Sequence, residues 1–333
     1  MAMTQLAICG VGNIGKVHLE NLRRLRGCRV IGMLDRNREE QHRLSADLGL
    51  RAYTTADELF ADPESDAVVV ATPSGSHREY VSRALEAGKH VFVEKPLAGT
   101  LADAAAIVAA KSQSDRVVQV GFCERFNVNY MEARRAVSEG RIGRIRTIQS
   151  SRTAPYAFSD PSWELGVLDT AVHNFDLILW LMGRRPRSVL ARGVQLYPDS
   201  NIPHSVTTLI HFEDGAMATD QISWVKDDLH PLHQCARSRL VLQGDSGVFE
   251  IDLSTRPSSQ LSPQGFRAID TIILGHPDYY GCLRLQFEFF LHSIESGAPV
   301  LAPVEDAFDV ERVALAALDS LRSGREIELD RIP

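Results

Sequence analysis

The sequence lacks a Cys-x-x-Cys pair, an apolar run near the roughly 20 residues that span a bilayer, and any block of basic residues. The first absence removes the ligand spacing of a structural zinc site, and with it the zinc-dependent type of alcohol dehydrogenase. The five cysteines, Cys9, Cys28, Cys123, Cys235 and Cys282, are odd in number and scattered, so they form no disulfide framework. They read as buried thiols acting as small hydrophobes in a reducing compartment, and a cytoplasmic location is expected. The second absence excludes a helical membrane span. Lys and Arg number 36 against 43 Asp and Glu, a net charge of −7. That balance excludes electrostatic binding to nucleic acid or to an anionic membrane. The opening Met1-Ala-Met-Thr-Gln-Leu6 has neither the basic n-region nor the cleavage site of a secretion signal. No metal, nucleic-acid or membrane partner is expected.

What is present is an ordinary globular composition, 44% apolar and 24% charged, over 333 residues. That length suggests two domains, with enough core to need no staple. The first third alternates short apolar strands with helical stretches. Leu6–Cys9, Cys28–Leu34, Ala67–Ala71, His90–Val93 and Val117–Val120 read as strands. A helix follows the first strand to about Arg26, and Ser76–Ala87 is another, closed by Gly88. Strands without polar alternation, separated by helices, belong to a parallel sheet buried on both faces, a doubly wound domain. The pattern predicts a dinucleotide-binding Rossmann domain over residues 1–122.

From residue 123 the pattern changes. Asn129–Glu139 and Thr170–Met182 read as helices, while runs between Ile145 and Leu253 alternate in polarity. Glu213-Asp-Gly215 and Gly244-Asp-Ser-Gly247 are hairpin signals between such runs. Residues 123–333 are therefore predicted as an α+β domain with an open, mainly antiparallel sheet. Residues 254–282 carry no clear period and read as a long functional loop. The terminal helices, Leu283–Ser296 and Val304–Arg322, are free to pack back on the first domain.

The chemistry begins at Gly10-Val-Gly12-Asn13-Ile14-Gly15, which follows a strand and opens a helix. Gly10 allows the tight turn, Gly12 admits a pyrophosphate to the backbone, and Gly15 lets helix pack on strand. The helix N-terminus offers free amides and a positive dipole end to the phosphates. Asp35 ends the second strand, where a carboxylate bonds the adenosine ribose and repels a 2′-phosphate, favouring NAD. Arg36 beside it is suited to pair with that phosphate, so NADP stays open. Thr72-Pro73 ends the third strand where doubly wound folds gather ligands, and His77 opens the next helix as a structural or cofactor-proximal group. Glu94-Lys95-Pro96 follows the strand His90–Val93, which aims Lys95 into the ligand crevice and makes Glu94 and Lys95 candidate cofactor contacts. Pro96 biases Lys95 away from helical geometry. Asp169 and His173 lie four apart on a helix and share a face, and Asp176, one turn further, either joins that face or is solvated. A carboxylate beside an imidazole suits a base that takes a hydroxyl proton.

In order along the chain stand Gly10-x-Gly-x-x-Gly15, Ala71-Thr-Pro73 with His77, and Ala87-Gly-Lys-His-Val-Phe-Val-Glu-Lys-Pro96. Gly121-Phe-x-x-Arg-Phe126 and Asp169-x-x-x-His173 with Asp176 complete the set. The whole chain resembles the glucose–fructose oxidoreductase/inositol dehydrogenase/rhizopine-catabolism family. The resemblance implies Lys95, Asp169 and His173 as the catalytic set, and a second domain whose sheet forms homodimers or homotetramers. It also implies an NAD(P)-dependent dehydrogenase of a secondary hydroxyl on a sugar, sugar derivative or (amino)cyclitol. Two positions depart from the family pattern. Ala171 stands where Gly is frequent, and Cys123-Glu124 precedes Arg125 where inositol dehydrogenases often carry Met-Arg. Glu124 in place of Arg makes myo-inositol an expected poor substrate. Arg125, Arg152, Tyr156 and Trp163 are candidate substrate contacts beside Lys95, Asp169 and His173, with Trp163 suited to stack on a sugar ring. His230 and His233 close the pocket, serve a neighbouring subunit, or are exposed loop residues. Two other functions share this fold: a non-catalytic dinucleotide sensor, and a reductase of an unsaturated ring of the biliverdin-reductase type.

Overall fold

A computed structural model describes residues 3–155, 166–198, 203–225, 237–253, 259–262, 265–268 and 281–331. In chain order the elements begin β1 (Thr4–Cys9), α1 (Asn13–Arg23), β2 (Cys28–Leu34), α2 (Arg38–Leu48), β3 (Arg51–Ala52) and α3 (Ala56–Ala61). They continue β4 (Ala67–Val70), α4 (His77–Glu86), β5 (His90–Val93), α5 (Leu101–Ser112), β6 (Val118–Val120), α6 (Val128–Ser138) and β7 (Ile145–Pro155). After these come α7 (Leu168–Met182), β8 (Pro186–Val194), β9 (Ser205–Phe212), β10 (Met217–Val225), β11 (Arg237–Gly244) and β12 (Val248–Asp252). The last are β13 (Ser259–Ser262), β14 (Gly265–Ala268), α8 (Cys282–Ser296), α9 (Val304–Ser323) and β15 (Ile327–Glu328).

The chain divides into two compact units, residues 1–127 with 271–308, and residues 128–270 with 309–333. The first carries a six-stranded sheet in the order β3-β2-β1-β4-β5-β6, parallel throughout. Its central strand β4, Ala-Val-Val-Val, is buried at every residue, which is why its sequence shows no alternation. The order reverses at β1 and β4, the point where doubly wound sheets bind ligands at their carboxyl ends.

The first unit is not one continuous segment, as a boundary at 122/123 would make it. Helix α8 belongs to it because Phe287 and Phe290, three apart on one face, pack against Phe92 of β5. The Phe92 and Phe287 rings lie 4.4 Å apart.

The second unit holds a seven-stranded sheet in the order β12-β11-β7-β10-β9-β8-β15. Its pairs are antiparallel except β7 with β10, which run parallel. Strand β10 alternates exposed and buried residues along its length, so one face is covered and one is open. The Glu213–Gly215 signal joins β9 to β10, with Gly215 at φ 81°, and the Gly244–Gly247 signal joins β11 to β12. Within the stretch expected to be a loop, β13 and β14 pair as a short antiparallel hairpin. No helix among the described residues is long and apolar enough to cross a membrane.

Candidate active site

The glycine loop sits where β1 hands over to α1. Gly10 has φ 91°, and a Cβ there would come 2.4 Å from the Ala71 carbonyl oxygen. At Gly15 a Cβ would come 2.1 Å from the Gly10 carbonyl oxygen. Gly12 differs: nothing lies within 4 Å of the place its Cβ would take. Packing demands the first and third glycines, whereas the second leaves a cradle open. Gly12 caps α1 without a side-chain hydrogen bond, and no acidic residue stands in the first turn. Amides at this helix start are thus left to an incoming anion, which fits a dinucleotide pyrophosphate.

Asp35, half-buried after β2, accepts from Val11 N at 2.6 Å through Oδ2 and from Asn37 N at 2.7 Å through Oδ1. Those bonds hold the carboxylate against the glycine loop while each oxygen keeps capacity for a ribose hydroxyl. Arg36 is exposed. Arg38 is committed to the Tyr53 and Thr54 carbonyls, which leaves Arg36 as the candidate cation for a 2′-phosphate.

At the β4 and β5 ends, two loops are tied together. His77 is buried, with Nε2 2.7 Å from Thr72 O and Nδ1 3.0 Å from Pro96 O and 3.2 Å from Leu97 O. Burial pushes its pKa down, against the pull of these carbonyls. His77 therefore braces the Thr72-Pro73 turn against the segment after Lys95. The Lys95–Pro96 bond is cis. Glu94 is buried rather than presented to solvent, and its carboxylate meets His18 Nε2 at 2.6 Å and Lys95 N at 3.0 Å.

In the same unit Arg125 lies in a 3₁₀ turn, Cys123–Phe126, and is 1% exposed. Its Nη1 donates to Leu301 O and to Asp306 Oδ2, each at 2.7 Å. Glu124 is also buried.

Asp169 and His173 belong to the second unit. Helix α7 is buried from Leu168 to Ile178 except at Thr170 and His173, so the imidazole is a partly accessible group on an otherwise covered stretch. Asp169, in the first turn, is buried one turn before it. Asp176 is fully buried. Trp224 of β10 steadies the helix start, its Nε1 donating to Thr170 Oγ1 at 3.1 Å.

Arg152 on β7 is buried, with Nε donating to Asn174 Oδ1 at 2.8 Å, and Asn174 Nδ2 donates to Asp220 Oδ1 at 2.7 Å. Burial pushes the Asp220 carboxyl up to about 7, against the hydrogen bonds from Asn174 and Ser150 and the charge of Arg152. Tyr156, Trp163, His230 and His233 lie outside the described residues.

The sequence reading passed over His18, Asn174 and Asp220. Two of the three carried a signal, a His on the apolar stripe Gly15, Leu19, Leu22 of α1 and an Asp among the inward Ala218, Ile222 and Trp224 of β10. Burial pushes up the Cys9 and Cys28 thiols, the second to about 11, which suits inert core residues. No group of three or more potential metal ligands occurs among the described residues.

An oxidoreductase family with an NAD-binding Rossmann fold matches residues 4–122, and the GFO/IDH/MocA C-terminal domain matches residues 130–250. The chain belongs to the GFO/IDH/MocA oxidoreductase family. Within it, the chain is 26% identical to a myo-inositol 2-dehydrogenase of Thermotoga maritima, over 98% of this chain and 99% of that one. An inositol 2-dehydrogenase of Pseudomonas fluorescens is 35% identical over 182 residues, 54% of each chain. The fold matches a scyllo-inositol dehydrogenase from Lactobacillus casei, solved with NAD(H) and scyllo-inositol, at TM-score 0.86 and 23% identity. That match covers 98% of this chain and 99% of the other.

Proposed function

We propose that this protein oxidises a secondary hydroxyl of a sugar, sugar derivative or cyclitol, with NAD as the better cofactor and NADP as the weaker. The observation that carries the reading is His173, the accessible imidazole on the buried stretch of α7, one turn after the Asp169 carboxylate. His173 takes the hydroxyl proton as general base. Asp169 orients the imidazole and bonds a neighbouring hydroxyl. Lys95, which directly follows β5, is assigned the stabilisation of negative charge developing on the substrate oxygen. Bound nicotinamide supplies the hydride acceptor. Gly10, Gly12, Asn13, Ile14, Gly15, Asp35, Thr72 and Pro73 form the cofactor cradle.

Arg152, though buried and bonded to Asn174, remains in the proposed substrate set with Asp169 and His173 of the second unit, whereas Arg125, 1% exposed and bonded to both Leu301 and Asp306, is left out. Relatives named as inositol dehydrogenases support a cyclitol. Glu124, standing where inositol enzymes often carry Arg, argues for an aminocyclitol or a pyranose over myo-inositol. The four described cysteines are free, which supports a reducing, cytoplasmic setting.

The test is NAD reduction across inositols, aminocyclitols, free sugars and nucleotide sugars, with Lys95→Ala and His173→Ala on the best substrate. Each variant is expected to lower kcat by about 10²–10⁴-fold while cofactor affinity changes far less. Full turnover by the His173 variant removes the assigned base. Efficient myo-inositol oxidation removes the Glu124 argument alone. If every polyhydroxylated ring fails, the dehydrogenase reading gives way to the ring reductase or the sensor.

A further inference from the structure

Within the first unit, one ionisable pair lies in an otherwise apolar core. His18 of α1 is completely buried, its ring edge-on to Phe92 at 5.5 Å and to Phe287 at 5.0 Å. Its only described polar contact is Glu94 Oε1, 2.6 Å from Nε2. The other ring nitrogen, Nδ1, is buried without a partner among the described residues. A doubly protonated ring would strand an N–H donor there, so the neutral tautomer with its proton on Nε2 is favoured. His18 then donates to Glu94 through Nε2.

The second carboxylate oxygen, Oε2, accepts from the backbone N–H of Lys95 at 3.0 Å. The Glu94 main chain is held separately, its N–H donating to Val70 O at 2.9 Å. A third residue makes the arrangement sterically possible. A Cβ on Gly121 would stand 2.7 Å from Glu94 Oε1 and 2.9 Å from its carboxyl carbon, so any other residue there would expel the carboxylate. Gly121 has no left-handed φ to explain its identity. The space it vacates is filled by this carboxylate.

A buried ion pair or His–carboxylate pair is seldom the most stable filling of an apolar core, because both groups lose their hydration. What the pair does here is local. It pins the peptide from which the Lys95 side chain leaves, while His77 pins the next two carbonyls, of Pro96 and Leu97, from the other side. We propose that His18 and Glu94, seated on Gly121, are positioning residues that aim Lys95. This rests on the reading of Lys95 under Proposed function. The glycine-loop helix and the lysine strand are thereby joined by one hydrogen-bonded link, so phosphate grip and lysine aim share a support.

The experiment uses the full chain with His18→Leu, which keeps apolar packing and removes the donor, and His18→Gln, which keeps an N–H donor. Amide hydrogen exchange of the cofactor-free protein reads the link without a substrate. Protection of the Lys95 amide is expected to fall about tenfold or more in His18→Leu and to recover in His18→Gln, with β1 and β4 amides unchanged. On the best substrate, His18→Leu is expected to lower kcat by about 10- to 100-fold, with substrate KM and NADH affinity within about threefold of wild type. His18→Gln is expected to restore most of that loss. Glu94→Gln, which turns an NH₂ group toward one of the two donors, serves as the second variant if His18→Leu does not fold, with the same expected losses. Unchanged protection at Lys95, wild-type kcat in His18→Leu, or equal losses in the Leu and Gln variants would each overturn the proposal. If Lys95→Ala and His173→Ala leave turnover intact, the catalytic reading fails instead, and the exchange data still decide whether the link exists.

Discussion

Asp35 is the residue proposed to separate two cofactors by charge. Its carboxylate is held by the Val11 and Asn37 amides at the place where a 2′-phosphate would arrive. Like charges forced together cost several kcal/mol, so Asp35→Ala should narrow the NAD-over-NADP preference by roughly tenfold or more, read by titrating both cofactors. Tighter NADP binding by the unaltered protein would pass the role to Arg36. Asp220 is a residue whose chemistry its neighbours set. With its folded pKa raised to about 7 from a usual value of 3.8, the native state holds a proton that the unfolded chain has lost between those values. Stability contributed by this group is therefore full below about pH 4 and declines as pH rises through 7. Asp220→Asn keeps the acceptor for Asn174 and removes the ionisation. It should raise Tm relative to wild type more at pH 8 than at pH 5. An equal loss of Tm at both pH values would show that an ionised Asp220 paired with Arg152 is what the fold needs.

The turn from β1 into α1 shows what an element asks of each glycine. Gly15→Ala sets a Cβ against the Gly10 carbonyl and should cost about 1–3 kcal/mol of stability. Gly12 has φ −66°, compatible with alanine, and open space around its missing Cβ. Gly12→Ala should therefore fold as well as wild type or gain about 0.4–1 kcal/mol through the unfolded state. Its loss should appear in NAD affinity instead, by about tenfold or more, since the added methyl occupies the pyrophosphate's approach. Thermal unfolding and cofactor titration of the two variants separate packing from binding. A Gly12 variant with unimpaired NAD affinity would move the phosphates away from this loop. This element was readable because strand, glycine spacing and helix start are all local. The role of Glu94 was not, since its hydrogen-bond partner His18 lies 76 residues earlier in the chain.

For the molecule as a whole, the family resemblance puts self-association on the second sheet, and its open face is the surface to test. Gln149, Thr207, Thr219, Gln221 and Arg239 lie exposed on neighbouring strands, and Thr207 faces Gln221 across the β9–β10 pair. Thr207→Arg combined with Gln221→Arg would set four like charges at a two-fold interface, and sedimentation should show a smaller species of unchanged Tm. An unaltered mass would place the contact elsewhere. The sequence alone determined the two sheet types, the glycine loop, and to within a few residues the strands β1, β2, β4, β5 and β6 and six of the helices. Burial on two faces, or on one, writes its own period into neighbouring residues. It also marked Lys95, Asp169 and His173 by position and spacing. Tertiary structure decided which unit receives α8, why Arg125 turns to Asp306 rather than outward, and why Asp220 titrates near neutrality. Periodicity records which side of an element is covered, but not by what. Partners 76 or 181 residues away are chosen by packing, and only packing sets the hydrogen bonds and dielectric that a buried charge meets.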